Sequence, residues 1–289
     1  MHYEGDVYRP PSEAYSLIIQ LTIGCARNTC TFCNMYKNKK FRIRPLDEVV
    51  RDLEECAVLY GSQVRRIFLA DGDAMIVKTA DLLFILEKAF DLYPRLERVS
   101  VYAAPKDVLA KTEEELKALR QAGLTIAYIG LESGDDVVLE NVRKGANAAQ
   151  ITEAGLRLRA AGIAVSITAI SGLGSEERMA EHAIHTAEVI SAIKPEYASL
   201  LTLMVHPAAP LWHDIKAGTF KLLTPDQIME ETRLFLTNID SEGTIFRSNH
   251  ASNYVALAGT FNRDIPKMLR QIDTVLASGS FKPEGFRRL

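Results

Sequence analysis

Short apolar segments alternate with amphipathic segments along most of the chain. The apolar segments are rich in β-branched and aromatic residues, as expected of strands that are covered on both faces of a sheet. The predicted strands are Tyr15–Gly24, Arg65–Ala70, Arg98–Ala103, Thr125–Leu131, Ile163–Ser171 and Tyr197–Val205.

The segments between these strands carry hydrophobic residues at the spacing of one helix face. Thr112 and three glutamates open one of them, which places a capping hydroxyl and negative charges at the positive end of the helix dipole, and Gly123 ends it. The predicted helices are Leu46–Tyr60, Thr112–Ala122, Gln150–Ala161 and Glu176–Ile193.

Six strands alternating with helices predict a parallel sheet with right-handed crossovers. Eight such units close a full barrel, so six predict an α/β fold of the partial (β/α)6 TIM-like type. After about residue 206 the pattern changes to a helix, a short strand, a polar stretch and a last helix. We predict these at Pro225–Asn238, Thr244–Phe246, Arg247–Tyr254 and Asp264–Ala277. The expected domains are an N-terminal extension at 1–14, the barrel at 15–207 and a C-terminal extension at 208–289 packed on the barrel.

Composition is that of an ordinary globular protein, with 47% hydrophobic and 25% charged residues among 289. The net charge of −3 gives no basis for general nucleic-acid binding. No apolar run reaches the roughly 20 residues that span a bilayer, and the N-terminal residues resemble no signal peptide. We therefore expect a cytoplasmic protein that does not bind membranes.

Three of the four cysteines lie within nine residues, in the segment LTIGCARNTCTFCNMY that follows the first strand. Thiolates select zinc, copper(I) or iron–sulfur clusters. A structural zinc site uses four protein ligands, whereas a cubane cluster held by three cysteines keeps one iron open. Cys25, Cys30 and Cys33 are therefore predicted metal ligands. Cys56 lies on the apolar face of a predicted helix and is interpreted as a buried hydrophobic residue.

This C-x4-C-x2-C segment, with Phe32 before its last cysteine, resembles the cluster loop of the radical S-adenosylmethionine (SAM) superfamily. The usual motif is C-x3-C-x2-C, so this chain has one additional residue. The resemblance implies a [4Fe–4S] cluster whose open iron chelates SAM. It also implies reductive cleavage of SAM to methionine and a 5′-deoxyadenosyl radical, in anaerobic chemistry for which the protein supplies orientation and dryness.

The resemblance continues at the end of the second strand. There Asp71-Gly72-Asp73 is similar to the Gly-Gly-Glu motif that meets the SAM amino group, and Asp73 is the preferred carboxylate. An Asp-Gly pair is also common turn chemistry, which is the alternative interpretation.

At the end of the fourth strand, Gly130–Gly134 resembles the segment that touches the SAM ribose, which implies contacts from Glu132 and Ser133. Arg143 or Lys144 would pair with the SAM carboxylate, and Lys144 is favoured. A solvated cation at a helix end is the alternative for Lys144.

The ends of the fifth and sixth strands resemble the adenine-binding segments of the family. The first, Ile170-Ser171-Gly172-Leu173-Gly174, implies contacts from Ile170 and Gly172, although a tight turn would explain the glycines equally. The second, Leu203-Met204-Val205, implies a backbone contact at Met204.

Two polar segments and one histidine pair suggest further roles. The run KNKKFRIR at Lys37–Arg44 is either a solvated loop or a docking patch for an acidic flavodoxin or ferredoxin that reduces the cluster. In the stretch after residue 246, Arg247, Asn249 and His250 are candidate substrate-binding residues, and a self-capping loop is the alternative. His182 and His185 are interpreted as boundary positions of an amphipathic helix.

With Cys56 as the only other cysteine, a second cluster ligated by three or four thiolates is disfavoured. Hydrogen abstraction from an unidentified small-molecule or peptide substrate remains, and the sequence looks closest to the branch of oxygen-independent coproporphyrinogen oxidase. Two other classes stay open: an iron–sulfur electron carrier without SAM cleavage, and a zinc-stabilised α/β binding protein.

Overall fold

The computed structural model describes residues 3–288. The strands are β1 Leu17–Gln20, β2 Thr22–Ile23, β3 Arg42–Ile43, β4 Arg66–Ala70, β5 Arg98–Tyr102, β6 Leu124–Glu132, β7 Ala164–Ser171, β8 Tyr197–Thr202, β9 Ile245–Ser248 and β10 Leu257–Thr260. The helices are α1 Leu46–Tyr60, α2 Thr79–Leu92, α3 Pro105–Leu109, α4 Glu113–Gln121, α5 Asp136–Asn141, α6 Ala148–Ala160, α7 Met179–Ile193, α8 Leu211–Ala217, α9 Pro225–Asn238 and α10 Ile265–Ser278. None of these helices is long and apolar enough to cross a membrane.

By its internal contacts the chain divides into two compact units. The first holds the chain up to Asn28 together with Met35–Ile129 and Leu156–Val165. The second holds Thr29–Asn34, Gly130–Gly155 and the chain from Ser166 onward.

In the first unit, β4 pairs in parallel with β1 on one side and β5 on the other, and β5 pairs in parallel with β6. Ile18, Phe68, Ala70, Ile126 and Tyr128 form a buried cluster on these strands. Helix α1 packs against α2. The small strands β2 and β3 pair antiparallel, so the chain after β1 returns close to where it left the sheet.

In the second unit, β7 pairs in parallel with β8, β8 in parallel with β9, and β9 antiparallel with β10. Helix α9 packs on α7 and on α10. Phe235, Phe246 and Phe261 stack beside one another, with 4.8 Å between the ring centroids of Phe246 and Phe261. The chain after residue 207 therefore supplies two strands to the sheet as well as helices.

The predicted α/β class with a mostly parallel sheet is confirmed. The bounds of α1 and α9 were predicted to the residue, whereas the strand predicted at Tyr15–Gly24 is in fact two strands separated by Leu21. Helices α2 and α8 and strand β10 were not predicted. Helix α2 was missed because its LLFIL run is apolar on too many sides for one face to stand out. The division at residues 14 and 207 stays a prediction.

Candidate functional site

The segment that leads into Cys25 is held by the turn after β4. The backbone N–H of Gly24 donates to Oδ2 of Asp71 at 3.0 Å, and the N–H of Gly72 donates to the carbonyl oxygen of Gly24 at 3.1 Å. A Cβ atom on Gly72 would lie 2.9 Å from Cβ of Cys25 and 2.8 Å from the Tyr36 ring. The turn therefore packs directly on Cys25, and Gly72 has no room for a side chain.

Asp71 is the anchor of this arrangement. Its side chain is fully buried, and besides Gly24 its Oδ2 accepts from Lys39 Nζ at 2.8 Å and from Gln20 Nε2 at 3.2 Å. Its own backbone N–H donates to Thr22 Oγ1. Its other oxygen, Oδ1, has no hydrogen-bond partner within residues 3–288. The carboxylate thus ties the chain before Cys25 to the basic segment that follows the cysteines.

Asp73, the carboxylate preferred for the SAM amino group, is also buried. Its Oδ1 accepts from the backbone N–H of Ala104 at 3.1 Å, at the start of α3. The acid therefore links the turn after β4 to the turn after β5. A contact of Asp73 with SAM stays a prediction.

The part of the cysteine loop in the second unit, Thr29–Asn34, is tied by its backbone to α5 and α8. The N–H of Thr31 donates to the carbonyl of Val142 at 3.0 Å, and the carbonyl of Thr31 accepts from the N–H of Leu211 at 2.9 Å. Phe32 packs on an apolar cluster that includes Ile170 and Leu203. The structure thus brings the aromatic residue of the cysteine motif together with the two segments predicted to contact adenine.

The predicted ribose and carboxylate contacts lie together at the end of β6. Lys144 Nζ lies 2.8 Å from Glu132 Oε1, and a Cβ atom on Gly130 would meet both groups. Glu132 has a left-handed backbone, with φ of 63°, which costs a residue other than glycine free energy and is common at functional sites. Arg143 is exposed, and its carbonyl accepts from Thr29 Oγ1. Lys144 is therefore half-buried beside an acid rather than a solvated helix-end cation.

Ser133 is engaged in contacts within the protein, and its contact with the ribose of SAM stays a prediction. Its side chain is fully buried, and its hydroxyl lies 2.7 Å from His182 Nδ1 and accepts from the N–H of Asp135 at 3.0 Å. His182 is buried too, so its interpretation as a boundary residue of the helix is corrected: the α7 face toward the β6 turn is polar and covered. Arg178, the residue before α7, binds Asp135 through two guanidinium nitrogens.

A buried glutamate completes this polar cluster, and the sequence reasoning missed it. Glu231 on α9 accepts from the backbone N–H of Gly172 at 2.7 Å and from the hydroxyl of Ser171. Burial raises the pKa of Glu231 to about 7 and lowers the pKa of His182 to about 4. The sequence did contain an indication that this glutamate is buried, because Glu231 lies among the apolar residues on the buried face of α9.

The polar stretch after β9 holds the end of β8. Asn253 is buried, and its amide accepts from the N–H of Thr202 at 2.6 Å and donates to the carbonyl of Leu200 at 2.9 Å and to Ser248 Oγ at 2.8 Å. Arg287, also buried, donates to the carbonyl of Leu203 at 3.1 Å. Part of this stretch is therefore structural, and the sequence did not distinguish Asn253 from its neighbours.

The strand predicted at Thr244–Phe246 is in fact Ile245–Ser248, so Arg247 lies within β9, and Asn249 and His250 follow it. Arg247 and Asn249 are exposed, and His250 is half-buried with its Nδ1 2.9 Å from Ser252 Oγ. Burial, with a smaller effect of Lys282, lowers the pKa of His250. Their role in substrate binding stays a prediction.

The basic run after the cysteines is mostly engaged in internal contacts. Lys37 donates to the carbonyl of Asn28, Lys39 pairs with Asp71, Arg42 pairs with Glu4, and Arg44 pairs with Asp52. Lys40 is the exposed lysine of the run. A reductant docking here would therefore meet fewer available charges than the sequence indicates.

The donor chemistry of the cysteine loop fits an iron–sulfur cluster. None of the four cysteines is in a disulfide; Cys25, Cys30 and Cys33 are half-buried, and Cys56 is buried on α1. Among residues 3–288, no three His, Cys, Asp or Glu side chains are grouped so as to hold a metal ion. The fit therefore rests on three soft thiols in one nine-residue segment, which leave an iron of a cubane cluster open.

Comparison with known proteins agrees with this geometry. The family model described as the Radical SAM superfamily matches residues 19–187. The heme chaperone HemW of Bacillus subtilis (strain 168) is 25% identical over 229 residues, which are 74% of this chain and 57% of that relative. This chain therefore spans little more than half of the length of HemW.

Solved structures share the fold. Coproporphyrinogen III oxidase (HemN) from Escherichia coli superposes with a TM-score of 0.57 at 18% identity, over 77% of this chain and 52% of that chain. The radical SAM methyltransferase TsrM from Kitasatospora setae gives a TM-score of 0.56 at 20% identity, over 70% of this chain and 39% of that chain. The expected likeness to coproporphyrinogen oxidase and its relatives is confirmed.

Proposed function

This chain belongs to the radical SAM superfamily, and we propose that it is an enzyme of that superfamily which abstracts hydrogen from an organic substrate. The cofactors of the superfamily are a [4Fe–4S] cluster and SAM. When bound, they supply a 5′-deoxyadenosyl radical as the abstracting species. The observation that carries the proposal is the family match over residues 19–187, which contains the cysteine loop and the ends of β4, β6 and β7.

Cys25, Cys30 and Cys33 are the proposed ligands of the cluster. The chain before Cys25 is anchored through Gly24 to Asp71, and the chain around Thr31 is anchored to α5 and α8. These anchors are hydrogen bonds between groups of the protein, so they need no contribution from the cluster.

SAM is proposed to bind along the ends of the strands. The ammonium of Lys144 would pair with the SAM carboxylate, with Arg143 as the alternative cation, and Glu132 would accept from the ribose hydroxyls. Asp73 would face the SAM amino group. Phe32, Ile170 and the backbone at Gly172 and Met204 would surround adenine, where the apolar cluster around Leu203 excludes water.

One anaerobic experiment tests this function. The reconstituted, reduced protein is expected to convert SAM to 5′-deoxyadenosine and methionine, and Cys33→Ser to lose both iron and product. Cys56→Ser is the matched control, because Cys56 is a buried thiol outside the loop and should leave cluster and product unchanged. A brown protein without 5′-deoxyadenosine would instead be an electron carrier, and a colourless protein containing zinc would be a zinc-stabilised binding protein.

The substrate is proposed to meet the polar residues at the end of β9 and directly after it. Arg247 would bind a carboxylate or phosphate, and His250 would donate or accept a proton. In a double variant Asn249→Ala/His250→Ala, SAM cleavage should become uncoupled from product formation. Coupled turnover at the rate of the unmodified protein would refute this assignment. HemW is a heme chaperone, HemN a coproporphyrinogen III oxidase and TsrM a methyltransferase, so membership of the superfamily leaves the substrate open.

A flavodoxin or ferredoxin is the proposed electron donor, docking at the exposed face of the basic run. Lys40→Glu tests this, because Lys40 is exposed, whereas Lys39 is needed by Asp71. The variant should slow reduction by flavodoxin and leave reduction by dithionite unchanged. Equal slowing with both reductants would argue against docking at this face.

A further inference from the structure

A buried carboxyl group reaches the sheet from outside the six predicted barrel units. Glu231 lies on α9, and 3% of its side chain is exposed. One oxygen, Oε2, accepts from the N–H of Gly172 at 2.7 Å and from the Ser171 hydroxyl. These two residues form the turn directly after β7. One side chain of the C-terminal region therefore determines where that backbone lies.

The same carboxyl group faces His182, which connects it to a second strand end. Glu231 Oε1 lies 3.8 Å from His182 Nε2, and the other ring nitrogen of His182 lies 2.7 Å from Ser133 Oγ. The backbone of Ile170 is a further hydrogen-bond partner of the imidazole. At 3.8 Å the carboxyl group contacts His182 without a hydrogen bond, and His182 is in turn hydrogen-bonded to Ser133, so a chain of polar contacts runs from the turn after β7 to the turn after β6.

The space around this path is too small for a ligand. A cavity of about 10 Å³ is lined by Ser171, His182, Ala183, Thr186, Leu200, Glu231, Thr232 and Phe235. A single water molecule needs roughly 10–15 Å³ on this measure, so nothing larger fits. Glu231 Oε1 has no hydrogen-bond partner in the described chain. The cluster therefore acts through the backbone that it holds and not by binding a substrate.

A gain in stability does not explain why a carboxyl group is buried at this position. A buried carboxyl loses its hydration, and well-packed apolar residues in place of buried ionic groups are often neutral or stabilising. What a glutamate provides here, and a leucine cannot, is an acceptor for the N–H of Gly172 and a polar partner for His182.

We propose that Glu231 is a positioning residue for SAM, which sets the adenine-binding turn after β7 directly and the ribose-binding turn after β6 through His182 and Ser133. The proposal rests on the proposed function, because the ligand that these turns would bind is SAM. It assigns part of the SAM site to the chain beyond residue 207.

The test compares Glu231→Leu with Glu231→Gln in the full chain with the cluster reconstituted and oxidised, a state in which SAM is not cleaved. Hydrogen exchange by mass spectrometry should show roughly 10-fold faster exchange in Glu231→Leu at the peptide containing Gly172 and at the peptide containing Ser133. Calorimetric titration should show SAM binding about 10-fold weaker, the size expected for the loss of one buried hydrogen bond. Glu231→Gln keeps an acceptor for the N–H of Gly172. It should therefore retain most of the protection from exchange and most of the SAM affinity.

Glu230→Gln is the matched control, because Glu230 is the neighbour on α9, is exposed and pairs with Arg233. It should change neither exchange nor SAM affinity. If Glu231→Leu does not fold, Ser133→Ala serves instead, and it should accelerate exchange at the β6 turn while Gly172 stays protected.

Two results overturn the proposal in distinguishable ways. Normal exchange at the Ser133 peptide and normal SAM affinity in Glu231→Leu would show that Glu231 acts only on its own surroundings. Failure of the unmodified protein to bind SAM would overturn the proposed function together with this inference.

Discussion

The buried pair between Lys39 and Asp71 allows a prediction of stability to be worked from the structure. We consider Lys39→Met, which keeps the length of the side chain and removes its charge. Asp71 then stays fully buried with two neutral donors, Gly24 N–H at 3.0 Å and Gln20 Nε2 at 3.2 Å, and no cation. Removing one partner of a buried ion pair costs about 3–5 kcal/mol. Because two donors remain, we expect about 3 kcal/mol.

This loss is large against a total stability of roughly 5–15 kcal/mol for a domain. Urea unfolding followed by circular dichroism should therefore show a clearly lower midpoint for Lys39→Met with an unchanged slope. Lys40→Met is the matched control, because Lys40 is the next residue and is exposed. Its effect should lie within about 0.5 kcal/mol.

A double-mutant cycle with Asp71→Asn separates the pair from its surroundings. The double variant should lose less stability than the sum of the single variants, because neither buried charge is then left without its partner. A loss below about 1 kcal/mol for Lys39→Met would refute the reasoning, since it would mean that water or another group replaces the ammonium at no cost.

Three further predictions concern the other buried groups. Asn253→Ala should lower the free energy of unfolding by about 3 kcal/mol, because it leaves two backbone groups and the Ser248 hydroxyl without this partner, whereas Asn249→Ala at an exposed position should change it by less than about 0.5 kcal/mol. Gly72→Ala should reduce the iron content after reconstitution, because its Cβ would collide with the chain at the first cysteine; Gly285→Ala, with no atom within 4 Å of the new Cβ, should not. Glu231 has its pKa raised to about 7, so its contribution to stability is complete below the pKa of the unfolded chain and is lost as pH rises through 7. The stability difference between the unmodified protein and Glu231→Gln, measured at pH 5 and pH 8, should shift against the unmodified protein at pH 8.

The sequence predicts best those parts of the molecule whose structure depends on residues close together in the chain. Helix α9 begins at Pro225 after Thr224, whose side chain caps the helix, and its apolar face has a clear period. The cysteine loop is a local motif as well. Six strand ends could be placed in order because each follows a short apolar run.

The parts that the sequence does not predict depend on partners far apart in the chain. Glu231 accepts a hydrogen bond from Gly172, which is 59 residues away in the chain. The apolar face of α9 indicates that Glu231 is buried, but no local pattern indicates its partner. Asn253 lies in a stretch correctly singled out as polar, but only packing decides which amide turns inward. Asp71 was expected to contact a ligand, and the structure shows it holding the chain on both sides of the cysteines.

That single carboxylate has a consequence for how the enzyme is assembled. Asp71 binds both Gly24 and Lys39 and so closes the loop between them. The entropy cost of closing this loop is therefore part of the folding of the polypeptide. In small zinc domains, by contrast, metal binding and folding are one event. Because Asp71 joins Gly24 and Lys39 through protein groups alone, we expect folding to come first here, and a chain that has lost its cluster should be refillable without being unfolded.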